Sequence, residues 1–245
     1  MSGRLIGVGV GPGDPELMTL KAVRALARAD VVAHFAKAGR AGTGRTIAAA
    51  HVPLHAEELA LWFPVTTEID KDAPAYREAI CAFYDRAAEA VATRLDAGRV
   101  VAVICEGDPL FYGSFMHLHA RLAARYPTEI VAGVSGMAGS WSAAGLPIAQ
   151  GDDVFTVLPA TLEECELARR LRETDAIVIM KLGRNLPKVR RALSQAGRLT
   201  QAIYVERATM AGGTVMALAD KTDDGAPYFA VVLVPGFEQR PCADG

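Results

Sequence analysis

Short runs that are apolar throughout alternate along the chain with longer stretches whose apolar residues recur every three or four positions. The runs RLIGVGV (4–10), VVA (31–33), VVAVIC (100–105), EIVA (129–132), VFTVLP (154–159), AIVIMK (176–181), AIYVE (202–206) and YFAVVLV (228–234) predict strands. Several show no polar alternation, which is how strands covered on both faces read. Helices are expected over 19–28, 43–50, 75–97, 112–125, 136–144, 161–173 and 186–195. In PAYREAICAFYDRAAEAVATRLDAGR, Ala79, Ile80, Phe83, Ala87, Ala90, Val91 and Leu95 share one helical face, and Gly98 fits the C-terminal stop. Such alternation predicts an α/β chain with mostly parallel sheets. RYPTE (125–129) ends a helix, holds a proline and precedes a strand. It places a boundary near residue 126, giving two α/β domains, 1–126 and 127–245. The last residues, EQRPCADG, read as a loose tail.

Composition narrows the function classes. The 245 residues are 51% hydrophobic, ample for a core, and the net charge of −2 lacks the basic excess of a nucleic-acid binder. A polyanionic ligand would need a local basic pocket. The four cysteines, at 81, 105, 165 and 242, form no CxxC pair, so a reduced, cytoplasmic chain is expected. Uninterrupted apolar runs such as VVAVIC and FAVVLV reach only six residues, far short of a membrane span, and Leu5 to Val10 is too short for a signal segment. His34, His117 and His119 are not spaced as a metal set, and no metal is expected.

The informative chemistry lies just after strands. In VGVGPGDPELMTLKA (8–22), the dinucleotide fingerprint fails in both registers, because its third glycine would fall on Pro12 or Asp14. A phosphate loop would need Gly-Lys-Ser/Thr, which is absent. Pro12 fixes φ and Gly13 permits a sharp turn. Asp14 can cap a helical turn that starts at Pro15, and Thr19 can cap the next helix. The product is a rigid loop with bare backbone at a strand's carboxyl end, where open α/β sheets bind ligands. A ligand-free turn reads equally well from this loop alone. CEGDPLFYGSF (105–115) repeats the Gly-Asp-Pro core after another strand, and AGVSGMAGSWSAAGLP (132–147) is dense in small residues after a third. Three such loops weigh against packing as the whole explanation.

In this order the three motifs resemble the tetrapyrrole methylase family. IMKLGR (179–184), VERAT (205–209) and PYFAVV (227–232) extend the match over all but the tail, and FPVTTEID (63–70) and VLPAT (157–161) add to it. The resemblance implies methyltransferases that use S-adenosylmethionine, release S-adenosylhomocysteine, and hold the donor in a cleft between two α/β domains. It also implies a small reduced tetrapyrrole as substrate, carrying eight carboxylates, and a homodimer, with no nucleic acid, membrane or metal partner. On this resemblance Pro12, Gly107, Asp108, Tyr112, Ser135 and Gly136 lie at the donor, and Met180, Ala208 and Tyr228 hold its adenine. Met180 and Tyr228 are also compatible with core packing. Arginine suits bidentate carboxylate binding. Lys37, Arg40 and Arg45, in HFAKAGRAGTGR without an acid between them, form either a lid over the substrate or a solvated loop. Lys181, Arg184 and Arg207, near strand ends, are further substrate candidates. Glu106, beside the donor loop, is the candidate catalytic carboxylate; a surface role is its alternative.

Overall fold

The computed structural model describes residues 3–37, 39–64 and 74–236. FPVTTEID from residue 65 onward, and the tail with Cys242, lie outside the described residues. Two compact units divide between Ser135 and Gly136.

The first unit contains β1 (Arg4–Gly9), α1 (Leu20–Ala27), β2 (Val31–Lys37), α2 (Thr43–Ile47), β3 (Glu57–Phe63), α3 (Pro74–Asp96), β4 (Val100–Cys105), α4 (Phe115–Leu122) and β5 (Thr128–Val131). Its sheet has the order β3-β2-β4-β1-β5, and every pair is parallel. Leu5, Val31, Ala33, Val101 and Val103 pack on one face with Phe83, Val91 and Leu95 of α3 and Leu118 of α4. Ile6, Val8, Val32, Ala102 and Ile104 pack on the other with Ala22 and Leu26 of α1 and Ile47 of α2. Alternate side chains thus enter two separate cores, so the strands must be apolar at every position. β3 was not foreseen. It is an edge strand that opens with Glu57 and Glu58, and only Leu61 within it is fully buried.

Because β5 pairs with β1, the first unit runs past the expected boundary near 126. The proline at 127 is a step inside this unit: its carbonyl accepts the Leu5 N–H at 3.0 Å and leads directly into the edge strand.

The second unit contains α5 (Gly136–Ala144), β6 (Phe155–Pro159), α6 (Glu164–Glu173), β7 (Ala176–Met180), α7 (Leu186–Gln195), β8 (Ile203–Glu206), β9 (Thr214–Ala217) and β10 (Ala230–Val234). The sheet order is β6-β7-β10-β8-β9. Parallel pairing holds for β6 with β7, whereas β10 runs antiparallel to both β7 and β8, and β9 antiparallel to β8. Short links explain the change: β9 follows β8 after a turn, with no crossover helix, and β10 returns without one. β7 and β8 therefore point the same way, with β10 between them. Leu167 and Leu171 of α6 and Val189 and Leu193 of α7 cover one face. Met137, Trp141 and Ala144 of α5 pack against Val178, Val205, Val231 and Leu233 on the other.

Arg198, only 7% exposed, fastens the loops at the far end of this sheet. Its guanidinium donates to the Thr174 carbonyl at 3.1 Å, the Asp175 carbonyl at 2.6 Å and Gln201 Oε1 at 2.7 Å. Among the described residues no helix is long and apolar enough to cross a membrane. The described cysteines, Cys81, Cys105 and Cys165, are free thiols.

Replacing Arg198 with Leu leaves buried carbonyls without donors. The expected loss is about 2–4 kcal/mol of unfolding free energy. Urea denaturation followed by tryptophan fluorescence measures it, and an unchanged midpoint would contradict the assignment.

Candidate functional site

In the first sheet the chain leaves β1 toward β2 and leaves β4 toward β5, on opposite sides of the β1–β4 pair. That pair is the switch point, where an open α/β sheet leaves a crevice at the carboxyl ends of its strands. The loops after β1, β4 and β5 meet there. Val10 N–H donates to the Cys105 carbonyl at 2.9 Å, and Gly107 N–H to the Gly11 carbonyl at 2.8 Å. A β-carbon on Gly9 would stand 2.5 Å from the Gly107 carbonyl oxygen, and one on Gly133 would strike the same oxygen. Three backbones therefore approach to a distance that excludes side chains. The capping expected of the first loop is present: Asp14 accepts the Glu16 N–H with Pro15 at the first helical position, and Thr19 accepts the Ala22 N–H at 3.0 Å.

Asp108 ties these loops together. Its Oδ1 accepts the Leu110 N–H at 2.9 Å within its own turn, and Oδ2 accepts the Gly133 N–H at 3.1 Å. Tyr112 adopts a left-handed backbone, φ +53°, with 46% of its surface exposed and its ring edge-on to Phe111. Pro12 is half-buried at the bend and Gly107 is buried. Ser135 closes the first unit and Gly136 begins α5, where its carbonyl accepts from Ser140 Oγ at 2.7 Å.

Glu106 follows β4 directly and its Oε1 accepts the Gly44 N–H at 2.9 Å, joining the switch-point loop to α2. Arg45 turns to Glu58 of β3, donating to both carboxylate oxygens at 2.7 and 2.8 Å. That pairing raises Arg45 further and holds Glu58 below the usual carboxylate range. Arg45, expected to bind substrate, is thus already occupied, a partner hidden from the sequence because Glu58 lies thirteen residues away on the unforeseen edge strand. Nor is HFAKAGRAGTGR a uniform loop: β2 extends to Lys37 and residues 43–47 form α2. Lys37 and Arg40 are exposed, one at the strand end and one in the turn after it.

Beneath α2 lies His34, 7% exposed, with Nε2 at 3.9 Å from Glu58 and Nδ1 without a hydrogen-bond partner. Burial pushes its pKa down; the Glu58 carboxylate opposes this and Arg45 adds to it.

In the second unit the expected residues gather at the ends of β7 and β8. Met180 and Ala208 belong to the apolar cluster formed with Met137 of α5. Lys181 follows Met180 with φ +59°, and Arg207 precedes Ala208 with φ +48°. Arg207 N–H donates to the Phe229 carbonyl at 2.8 Å, beside the start of β10. Tyr228 is 86% exposed there, so core packing does not account for it. Arg184 lies on the exposed turn before α7.

Closely packed backbone at a switch point, fixed by a carboxylate staple, is the feature of an open α/β sheet at which ligands bind in such folds. The family model described as Tetrapyrrole (Corrin/Porphyrin) Methylases matches residues 4–220, and the chain belongs to that family. It is 62% identical over 239 residues to a precorrin-2 C(20)-methyltransferase of Sinorhizobium sp, covering 98% of each chain. It is 29% identical to the cobalt-precorrin-2 C(20)-methyltransferase of Salmonella typhimurium, over 96% of this chain and 97% of that one. Among solved structures, a uroporphyrin-III C-methyltransferase from Thermus thermophilus complexed with S-adenosyl homocysteine superposes with a TM-score of 0.64 at 26% identity, covering 97% of this chain and 99% of that one.

Gly133→Ala forces a β-carbon into the Gly107 carbonyl and should cost about 1–3 kcal/mol of stability. Calorimetry checks this, with Gly136→Ala as the control, since a β-carbon at Gly136 meets nothing within 4 Å. A second expectation concerns pH. Folding favours the neutral His34 imidazole, so the unfolded chain takes up the proton first. Stability is then intact above the ordinary value of 6.5 and declines as pH falls through it toward the lowered folded value. His117, also lowered by burial, has the same sign. His34→Gln should flatten the decline between about pH 6.5 and 5, read from urea midpoints; an unaltered slope would remove His34 from the account.

Proposed function

We propose that the protein methylates the reduced tetrapyrrole precorrin-2 at carbon 20, using S-adenosylmethionine and giving precorrin-3A in cobalamin biosynthesis. The observation that carries this reading is the coincidence of two things: three glycine loops brought together at the β1–β4 switch point, and identity along the whole chain to a precorrin-2 C(20)-methyltransferase. The lower identity to the cobalt-precorrin-2 enzyme favours the metal-free substrate.

The switch-point loops suit the donor because they stand in a rigid, hydrogen-bonded frame at the carboxyl ends of β1, β4 and β5. Of the first unit, Pro12, Gly107, Asp108, Tyr112 and Ser135 would hold it. S-adenosylmethionine, when bound, supplies an electrophilic methyl on a positively charged sulfur. The attacking electrons belong to carbon 20 of the substrate, so no nucleophilic side chain is required of the protein. Cys105, closest in sequence to the loop, is unsuited to that role, because burial pushes its thiol well above the ordinary range. The chain's work is alignment and exclusion of water, which can supply much of such a barrier. Glu106 holds Gly44 through Oε1; we assign its other oxygen, Oε2, to stabilising the ring cation and accepting the carbon 20 proton. Lys37, Arg40, Lys181 and Arg184 would receive substrate carboxylates, while Arg45 would have to leave Glu58 to do so. A homodimer working in the cytoplasm completes the reading.

Incubating the protein with metal-free precorrin-2 and methyl-labelled donor should place one new methyl on carbon 20, assigned by mass and carbon NMR. A methyl at another carbon would refute the position, and labelling of the cobalt complex alone would refute the metal-free substrate. Glu106→Gln keeps an acceptor for Gly44 but no base. It should slow turnover about a hundredfold with S-adenosylhomocysteine affinity preserved; wild-type turnover would take Glu106 out of the chemistry.

A further inference from the structure

Among the described residues, the non-glycine positions with left-handed backbone are Tyr112, Lys181 and Arg207. Lys181 and Arg207 directly follow a strand's carboxyl end, and Tyr112 lies further along the loop after β4. A left-handed residue there is served at least cost by glycine or asparagine, since a longer side chain adds its own β-carbon clash. Two of these positions instead carry cations, and both belong to one end of the second sheet. β7 ends in Met180 and then Lys181; β8 ends in Glu206 and then Arg207, followed by Ala208. At each of two strands pointing the same way, a residue of the α5-facing apolar cluster stands next to a left-handed cation.

Other arginines of the second unit are mostly committed. Arg198 is fastened to carbonyls, Arg190 spans the Leu218 and Asp223 carbonyls, and Arg169 and Arg170 share Glu166. Arg207 differs. Its side chain is 49% exposed, and its charged neighbour, Glu206 Oε1, stands 3.5 Å from Nη1. The other oxygen of Glu206 accepts the hydroxyl of buried Tyr204 at 2.8 Å, which holds the carboxylate on its own side of the strand. The backbone, by contrast, is locked: the Arg207 N–H reaches Phe229, its carbonyl accepts the Met210 N–H at 2.9 Å, and a β-carbon on Gly213 would strike that carbonyl. A fixed backbone carrying an exposed, loosely paired guanidinium is an arrangement for binding a carboxylate from outside the protein.

We propose that Arg207 is a specificity-determining residue that binds a carboxylate side chain of the tetrapyrrole, using the left-handed turn after β8 to point its guanidinium away from the sheet. This rests on the tetrapyrrole methylation reading above. The test compares wild type, Arg207→Asn and Arg207→Lys. Asparagine tolerates the left-handed backbone, so the turn survives while the charge is lost. With precorrin-2 and S-adenosylmethionine, Arg207→Asn should raise the tetrapyrrole KM about tenfold or more, with kcat changed far less. S-adenosylhomocysteine affinity, from tryptophan quenching, should stay within about twofold, and Arg207→Lys should recover part of the KM. A wild-type KM in Arg207→Asn would overturn the proposal. So would an equal loss of S-adenosylhomocysteine affinity, because the residue would then serve the turn and not the substrate. Failure of the wild type itself to methylate precorrin-2 would instead remove the functional reading, and this proposal with it.

Discussion

The organisation of the first unit depends on the close approach of three backbones, at Gly9, Gly107 and Gly133, where β1, β4 and β5 end. The contact leaves no room for a β-carbon at Gly9 or Gly133, so it fixes residue type as well as geometry. It also requires donors and acceptors to be satisfied within the loops, which the Gly107 to Gly11 hydrogen bond and the two acceptances by Asp108 accomplish. An all-parallel sheet with covered faces supplies the frame: its strand order puts the β1 and β4 loops side by side without either crossing the other. Loops of this kind cost little to hold once the sheet is formed.

The second unit reaches a comparable end by another route. Its sheet is mixed, yet β7 and β8 point the same way because β10 runs antiparallel between them. The ends of the two strands lie on either side of the start of β10, with apolar residues facing α5 and cations on left-handed turns. In the first unit, carboxylates serve the protein's own architecture: Asp108 for the loops, Glu106 for α2, Glu58 for Arg45, and Glu57 for Arg94 and Arg99. In the second, Glu164 holds Arg191 and Gln195, and Glu166 holds Arg169 and Arg170.

Much of this was legible in the sequence where one residue's chemistry decides the outcome. The doubly covered strands read as unbroken apolar runs, and Asp14, Pro15 and Thr19 announced their caps. What sequence concealed was pairing at a distance. β3 and β9 are edge strands, half exposed, so their apolar pattern is diluted and blends with the flanking polar residues. Missing β3 also hid Glu58, and with it the commitment of Arg45. The boundary near 126 followed a proline that only introduces β5. The antiparallel course of β10 could not be read from VVLV, because a strand buried on both faces looks alike in either direction. Left-handed backbone at Lys181 and Arg207 has no sequence signal, since lysine and arginine are poor indicators of it.

We propose the crowded glycine backbones after β1, β4 and β5 as the donor's seat. A crystal structure of the protein grown with S-adenosylhomocysteine tests it most directly. Ligand density is expected against the loops at 11–14, 106–112 and 133–135, with the Asp108 to Gly133 hydrogen bond intact. Well-defined ligand elsewhere, with those loops unchanged and bare, would contradict it.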